Sequence, residues 1–139
     1  KWELKGVPLR IEVGKREIES GEVPMVRRDT LEKVSVKMSD VIRMVGEQLD
    51  AVQTNLLEQA EDLLKKSTHT VGSWDEFTHI METDRGFLVA YWCGRGECEA
   101  EIKEKSKATT RCSAQVGVTG ACVHCGQDAR EQWYFAQAY

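Results

Sequence analysis

The chain has 139 residues, 41% of them hydrophobic, enough for one core or for a domain with part of another without disulfide support. Its 19 basic and 23 acidic residues give a net charge of −4, which excludes a protein that coats nucleic acid through bulk electrostatics and confines any such contact to a local surface. No apolar run approaches the roughly 20 residues of a membrane span, and the opening Lys1-Trp2-Glu3-Leu4-Lys5 has no signal-peptide core, so the expected compartment is the cytoplasm.

Basic side chains gather toward the N-terminal end: residues 1–33 carry eight Lys or Arg against seven Asp or Glu, and residues 34–139 carry eleven against sixteen. In 7–13, apolar Val7, Leu9, Ile11 and Val13 alternate with Arg10 and Glu12, the period-two pattern of a strand with one buried face, and Gly14 ends it. A turn at Glu19-Ser20-Gly21-Glu22 leads to two further alternating segments, 23–28 and 33–38, the last with Val34, Val36 and Met38 on one side. Three strands alone leave an apolar face uncovered. This part is therefore expected to be the tail of a larger α/β domain.

From Ser39, a candidate N-cap, the period changes: Ile42, Val45, Leu49, Val52, Leu56, Ala60 and Leu63 are spaced by threes and fours. The spacing predicts one amphipathic helix to about residue 66, about 40 Å long. Its stripe suits an interdomain strut or a coiled-coil seam, and the largely acidic outer face, without balanced flanking charges, favours the strut. Ser73 with Glu76 forms a capping box opening a shorter helix that should bury Trp74, Phe77 and Ile80. A buried strand over 86–92 then delivers Cys93, Cys98 opens a charged helix to about residue 105, 108–113 reads as a strand, and 133–136 as the last one. From residue 69 on, the order is short strand or turn, helix, strand, helix, strand, turn, strand. That order makes a two-layer α+β domain with its helices on one face of a small sheet, and places the domain boundary between 1–68 and 69–139.

Two cysteine pairs, Cys93-x4-Cys98 and Cys122-x2-Cys125, lie in short glycine-bearing turns that can aim both sulfurs at one ion. Four thiolates are the donor set of a closed, structural tetrahedral zinc site; a disulfide pair or unligated core cysteines are the alternatives, and His124 could stand in for one cysteine. The fifth cysteine, Cys112, is expected to be a small buried strand residue. Phosphate-binding loops, nucleophile elbows and histidine-rich zinc motifs do not occur. Lys5, Arg10, Lys15 and Arg16 could meet phosphates or guanine edges, with Glu3 accepting from base amino or imino groups, or they could form an ordinary solvated charged face.

The segment Trp2-Glu3-Leu4-Lys5-Gly6-Val7-Pro8-Leu9-Arg10-Ile11-Glu12-Val13-Gly14, followed by Val26-Arg27-Arg28-Asp29-Thr30, resembles the late anticodon-binding domain of prolyl-tRNA synthetases of the archaeal/eukaryotic type. Cys93-x4-Cys98, Ala108-Thr109-Thr110-Arg111-Cys112, Cys122-x2-Cys125 and Phe135-Ala136-x-Ala138-Tyr139 resemble the zinc-binding C-terminal domain that this family appends. The resemblance implies the last three strands and final helix of a mixed-sheet anticodon-binding domain. A two-layer α/β domain like the C-terminal domain of a bacterial translation initiation factor would follow. It also implies that Glu3, Arg10 and Arg16 read anticodon guanines, a carboxylate accepting and two guanidiniums donating. Where the family commonly has Gly-Pro-Arg or Gly-Pro-Lys, this chain has Gly14-Lys15-Arg16, so Lys15 competes for the role given to Arg16. The family's structural zinc would sit on Cys93, Cys98, Cys122 and Cys125, and its terminal tyrosine, here Tyr139, would lie near the catalytic cleft. Family members are class II ligases that join proline to its tRNA with ATP and Mg, as homodimers. None of the class II catalytic motifs occurs in these residues, so the chain is expected to be inactive alone and to recognise proline tRNA and buttress a catalytic domain of the same polypeptide. A free-standing zinc adaptor dimerising through the long helix is the competing class.

Overall fold

The computed structural model describes residues 2–138. It contains two compact units, Lys1–Asp62 and Leu63–Tyr139, each built on its own sheet, and the α+β class expected from the patterns holds.

In the first unit a 3₁₀ turn, Glu3–Lys5, precedes β1 (Leu9–Ile11), which pairs antiparallel with β2 (Glu22–Arg27); β2 pairs in turn with β3 (Lys33–Lys37). The register sets Arg10 opposite Val26 and Val23 opposite Val36. Val23, Met25, Val26 and Val36 are buried, as is Val52 on α2 (Val41–Lys66). β1 is shorter than its alternation suggests: its ladder with β2 covers only Leu9 to Ile11, and Val7 and Val13 are left exposed. Residues Lys15–Ser20 form a helix, α1, where a turn was expected. The Gly14 amide donates to the Glu17 carboxylate at 2.9 Å, and Gly21, at φ 72°, returns its amide to the Glu17 carbonyl. Those are ordinary start and stop devices; what hid the helix is that it buries no residue and so has no apolar stripe.

The sheet is tied to α2 by a fork of charge. Arg27 Nε and Nη2 donate to the two oxygens of Asp29 at 3.0 and 2.6 Å, Asn55 Nδ2 donates to Asp29 Oδ2 at 2.6 Å, and Arg27 Nη2 also reaches the Ala51 carbonyl at 3.4 Å. The Arg27 guanidinium, aided by Asn55 and against the cost of burial, holds the Asp29 carboxyl far below the usual carboxylate range. Of the helix stripe only Val52 is buried, while Ile42, Leu49, Leu56 and Leu63 remain exposed.

In the second unit β4 (Thr68–Thr70) runs parallel to β5 (Phe87–Tyr91), with α3 (Trp74–Thr83) as the crossover between them. After α4 (Gly96–Ser106) come β6 (Ala108–Ala121) and β7 (Asp128–Gln137), giving the strand order β4-β5-β7-β6. Ser73 caps α3 by accepting from the Glu76 amide, and Glu76 reaches back to the Gly72 amide. One core joins Phe77 and Met81 of α3, Ile102 of α4, Leu88 and Ala90 of β5, Ala108 of β6 and Phe135 of β7. Phe77 stacks on Trp74 at 5.1 Å and meets Phe135 edge-on at 5.3 Å. Met81, one turn beyond Phe77, takes the buried place expected of Ile80, which is only partly covered.

Two expectations about the last strands are corrected. Both strands of the β6–β7 hairpin extend well past their apolar cores, since ladder bonding needs no apolar alternation once the backbones are paired. Cys112 is exposed, not buried: the ladder is interrupted between Thr110 and Ser113, so the strand's inward alternation is lost at that point.

Phe77→Ala should destabilise the second unit by about 3–5 kcal/mol, because it removes a fully buried ring wedged between two aromatic neighbours; chemical denaturation followed by tryptophan fluorescence measures it. Asp29 contributes stability above the ordinary carboxylate pKa of about 4, and loses it as pH falls through its depressed folded value. The gap in urea midpoint between the parent chain and Asp29→Asn should therefore be widest near neutral pH and narrow on acidification, as followed by circular dichroism.

Candidate metal centre and charged N-terminal surface

Two turns build the candidate metal centre. The first, between β5 and α4, carries Cys93 and leads to Cys98 in the opening turn of α4; the second, between β6 and β7, carries Cys122 and Cys125. Gly94 and Gly126 both take left-handed backbone, at φ 75° and 69°, which lets each turn double back at low cost. The turns are joined by backbone: the Val123 amide donates to the Tyr91 carbonyl at 2.9 Å. The second turn closes on itself through Cys122 N–H to Gln127 O and Gly126 N–H to Cys122 O.

The four sulfurs lie within 4.8 Å of one another. Cys93 and Cys125 are 3.6 Å apart, Cys98 and Cys122 3.8 Å. Bonds of about 2.3 Å in a tetrahedron would separate the sulfurs by about 3.8 Å, whereas a disulfide would draw a pair to about 2 Å. The donor set thus fits one metal ion, with Cys98 and Cys122 buried and Cys93 and Cys125 partly covered. His124 stands just outside the set. Its Nδ1 lies 3.6 Å from Cys98 Sγ, its ring meets Trp74 edge-on at 4.6 Å, and its Nε2 is 3.0 Å from Lys105 Nζ. An ammonium can only donate, so Nε2 accepts and Nδ1 is left to donate toward the sulfur.

Arg95, inside the first turn, donates from Nε to Cys93 at 3.5 Å and from Nη2 to Cys125 at 3.2 Å. The sulfurs differ accordingly. Burial pushes the Cys98 thiol well above its ordinary value. Burial also raises Cys122, partly offset by the backbone of Cys125, His124 and Cys93. Burial works against Cys125 too, but the Gln127 backbone and the Arg95 guanidinium outweigh it and bring the thiol down to about 6. Burial, then Lys105, lowers His124. Sequence reasoning missed Arg95 and Lys105 as partners of the centre. An arginine between two cysteines was the available signal for the first; the second is visible only once α4 lies beside the turn.

The candidate readers at the other end fall in the first unit. Arg10 Nη1 is 3.2 Å from Glu3 Oε1 and its Nε 3.2 Å from Glu12 Oε1, and the Arg10 and Glu3 side chains are about half exposed. A carboxylate and a guanidinium that touch at the surface can address one planar polar ligand together. Lys5 lies over the Trp2 ring at 4.9 Å. Lys15 and Arg16 occupy the first two positions of α1 and are exposed, and among the described residues neither forms an ion pair. Tyr139 lies outside the described residues.

Comparison with known proteins gives two domain matches in the same order. Residues 74–139 match the family "Prolyl-tRNA synthetase, C-terminal", and residues 1–48 match "Anticodon binding domain". Over 99% of its length the chain is 42% identical to proline--tRNA ligase of Natranaerobius thermophilus, 40% to that of Lachnoclostridium phytofermentans and 39% to that of Clostridium novyi. It spans 29% of the length of each of these relatives. With both domains matched in order and the similarity running the whole length of the chain, the protein is similar throughout to the anticodon-binding and C-terminal domains of prolyl-tRNA synthetases.

Proposed function

We propose that this chain serves as the anticodon-recognising and supporting C-terminal portion of a proline--tRNA ligase, a class II aminoacyl-tRNA synthetase that joins proline to its tRNA with ATP. The observation that carries the reading is the uninterrupted similarity to proline--tRNA ligases along 99% of the chain, with the anticodon-binding match ahead of the C-terminal one. In this reading ATP, Mg and proline are handled by a catalytic domain elsewhere in the same polypeptide, the ligase works as a homodimer in the cytoplasm, and Tyr139 lies toward the catalytic cleft. Residues 1–68 are the end of the anticodon-binding domain with the long helix, and 69–139 the appended domain.

Glu3, Arg10 and Arg16 are proposed to read guanines of the proline anticodon. Glu3 accepts from N1 and N2 protons; the guanidiniums donate to O6 and N7. The contact between Glu3 and Arg10 supports this reading, because it holds acceptor and donor side by side before RNA arrives. A net negative chain can bind RNA in this way, since three local groups and not bulk charge carry the contact. Lys15, next to Arg16 at the start of α1, is the other candidate for the third position.

Cys93, Cys98, Cys122 and Cys125 would hold a zinc ion. Zinc would supply closure of the two turns and no reaction chemistry, since four thiolates leave no coordination position open. The sulfur spacing supports the assignment.

Filter binding should give Glu3→Ala and Arg10→Ala about 10- to 100-fold weaker affinity for proline tRNA, the loss of about 1–3 kcal/mol expected for a base-edge contact. Binding to an anticodon-mutated tRNA should already be weak and change little. Equal binding of both RNAs by the parent chain would instead favour a zinc adaptor that dimerises through α2, whose exposed Ile42, Leu49, Leu56 and Leu63 would then form the seam. Elemental analysis should find one zinc per chain in protein purified without chelator, and Cys98→Ser should lose it. A parent chain with no bound metal would overturn the zinc assignment.

A further inference from the structure

Four thiolates around a divalent ion carry two excess negative charges, which must be met by donors close to the sulfurs if the ion is to stay. The chain distributes those donors unevenly. Cys98 has His124 Nδ1 at 3.6 Å, and Cys122 lies among the backbone groups of Cys125, His124 and Cys93. Beyond the four cysteines themselves, Cys93 and Cys125 have one side-chain donor between them among the described residues, and it is the guanidinium of Arg95.

Three features make that contact more than a surface arginine at rest. Cys93 and Cys125 are the two partly exposed ligands, while Cys98 and Cys122 are 4% and 3% exposed, so Arg95 covers the side from which water or a chelator would enter. Arg95 belongs to the first turn but reaches a sulfur of the second, 30 residues away, and so spans the two halves of the centre. Finally, its guanidinium has no carboxylate partner among the described residues; its side-chain hydrogen bonds go to sulfur alone. A planar fork can serve two sulfurs at once, which a lysine ammonium on a flexible stem does less well.

We propose that Arg95 is the positioning residue that latches the metal centre, clasping Cys93 and Cys125 from the two turns and setting how long a bound ion is retained. The inference rests on the metal reading above and goes beyond it in naming what governs retention. Arg95 does not ligate the ion. It neutralises the accessible half of the ligand set and occludes it.

The test is zinc release from the metal-loaded chain into excess EDTA, followed with a colorimetric zinc indicator, for the parent, Arg95→Ala and Arg95→Lys. Arg95→Ala should release zinc about 10- to 100-fold faster, the range seen when a group supporting metal ligands is removed, and Arg95→Lys should fall between it and the parent. In the same metal-loaded proteins, iodoacetamide labelling mapped by mass spectrometry should accelerate at Cys93 and Cys125 and stay unchanged at Cys98 and Cys122. A loss of fold would expose all four alike. Release from Arg95→Ala within about twofold of the parent overturns the proposal, as does labelling that rises equally at all four cysteines. If Arg95→Ala does not fold, Arg95→Lys decides alone: faster release supports the latch, and parental release overturns it. A parent chain that holds no zinc overturns the metal reading itself, a failure distinct from that of the latch.

Discussion

The second unit depends on bringing two turns, far apart in sequence, to a single point. The first turn leaves β5, a central strand of the sheet; the second is the tip of the β6–β7 hairpin. Because β7 pairs with β5, the hairpin tip is carried back beside the end of β5, and the amide of Val123 can reach the carbonyl of Tyr91. The same pairing sets Phe135 against Leu88 and so places it under Phe77. Sulfur cluster and aromatic core are consequences of one strand register. Shifting that register by one residue would turn Phe135 to solvent and part the two turns together.

The first unit solves a different problem. A three-stranded sheet has little core of its own, and here Val23, Met25, Val26, Val36 and Val52 supply it. Much of what joins the sheet to α2 is polar instead: the Arg27–Asp29 fork with Asn55 and the Ala51 carbonyl. Such a join is directional, unlike an apolar contact, and fixes the rotation of the helix about its axis as well as its distance from the sheet. The surface carrying Glu3 and Arg10 borrows its rigidity from that frame, since Arg10 sits on β1 and β1 is held by β2 alone.

What could be read in the sequence was set by how far each feature depends on local pattern. The long helix announced itself through seven apolar positions at helical spacing, and the α3 cap through Ser73 and Glu76, because both are written within a few residues. Helix α1 escaped notice because it buries nothing. The outer lengths of β6 and β7 escaped because their residues, Gln115, Gly120 and Ala121 among them, are polar or small and are placed by pairing with a neighbour. Cys112 was misplaced because a break in a ladder leaves no mark on composition. At the cysteine cluster the sulfurs were legible from their spacing. Their partners were not: Arg95 acts across 30 residues, and Lys105 reaches His124 only through the folded proximity of α4 to the hairpin tip.

The hairpin register also bears on the order in which this unit assembles. Cys122 and Cys125 lie three residues apart at the tip of a local hairpin, and Cys93 and Cys98 five apart across the start of a helix, so each pair can form in a chain that is otherwise open. Joining them carries the greater entropic cost. Cys93 and Cys125 are 32 residues apart, and closing a loop of that length costs about 3 kcal/mol of chain entropy beyond the constant term. An ion captured by one pair would raise the local concentration of a binding partner for the other, and the search for the β5–β7 register would become a tethered one. The Val123 to Tyr91 hydrogen bond joins the hairpin tip to the end of β5, where the two pairs meet.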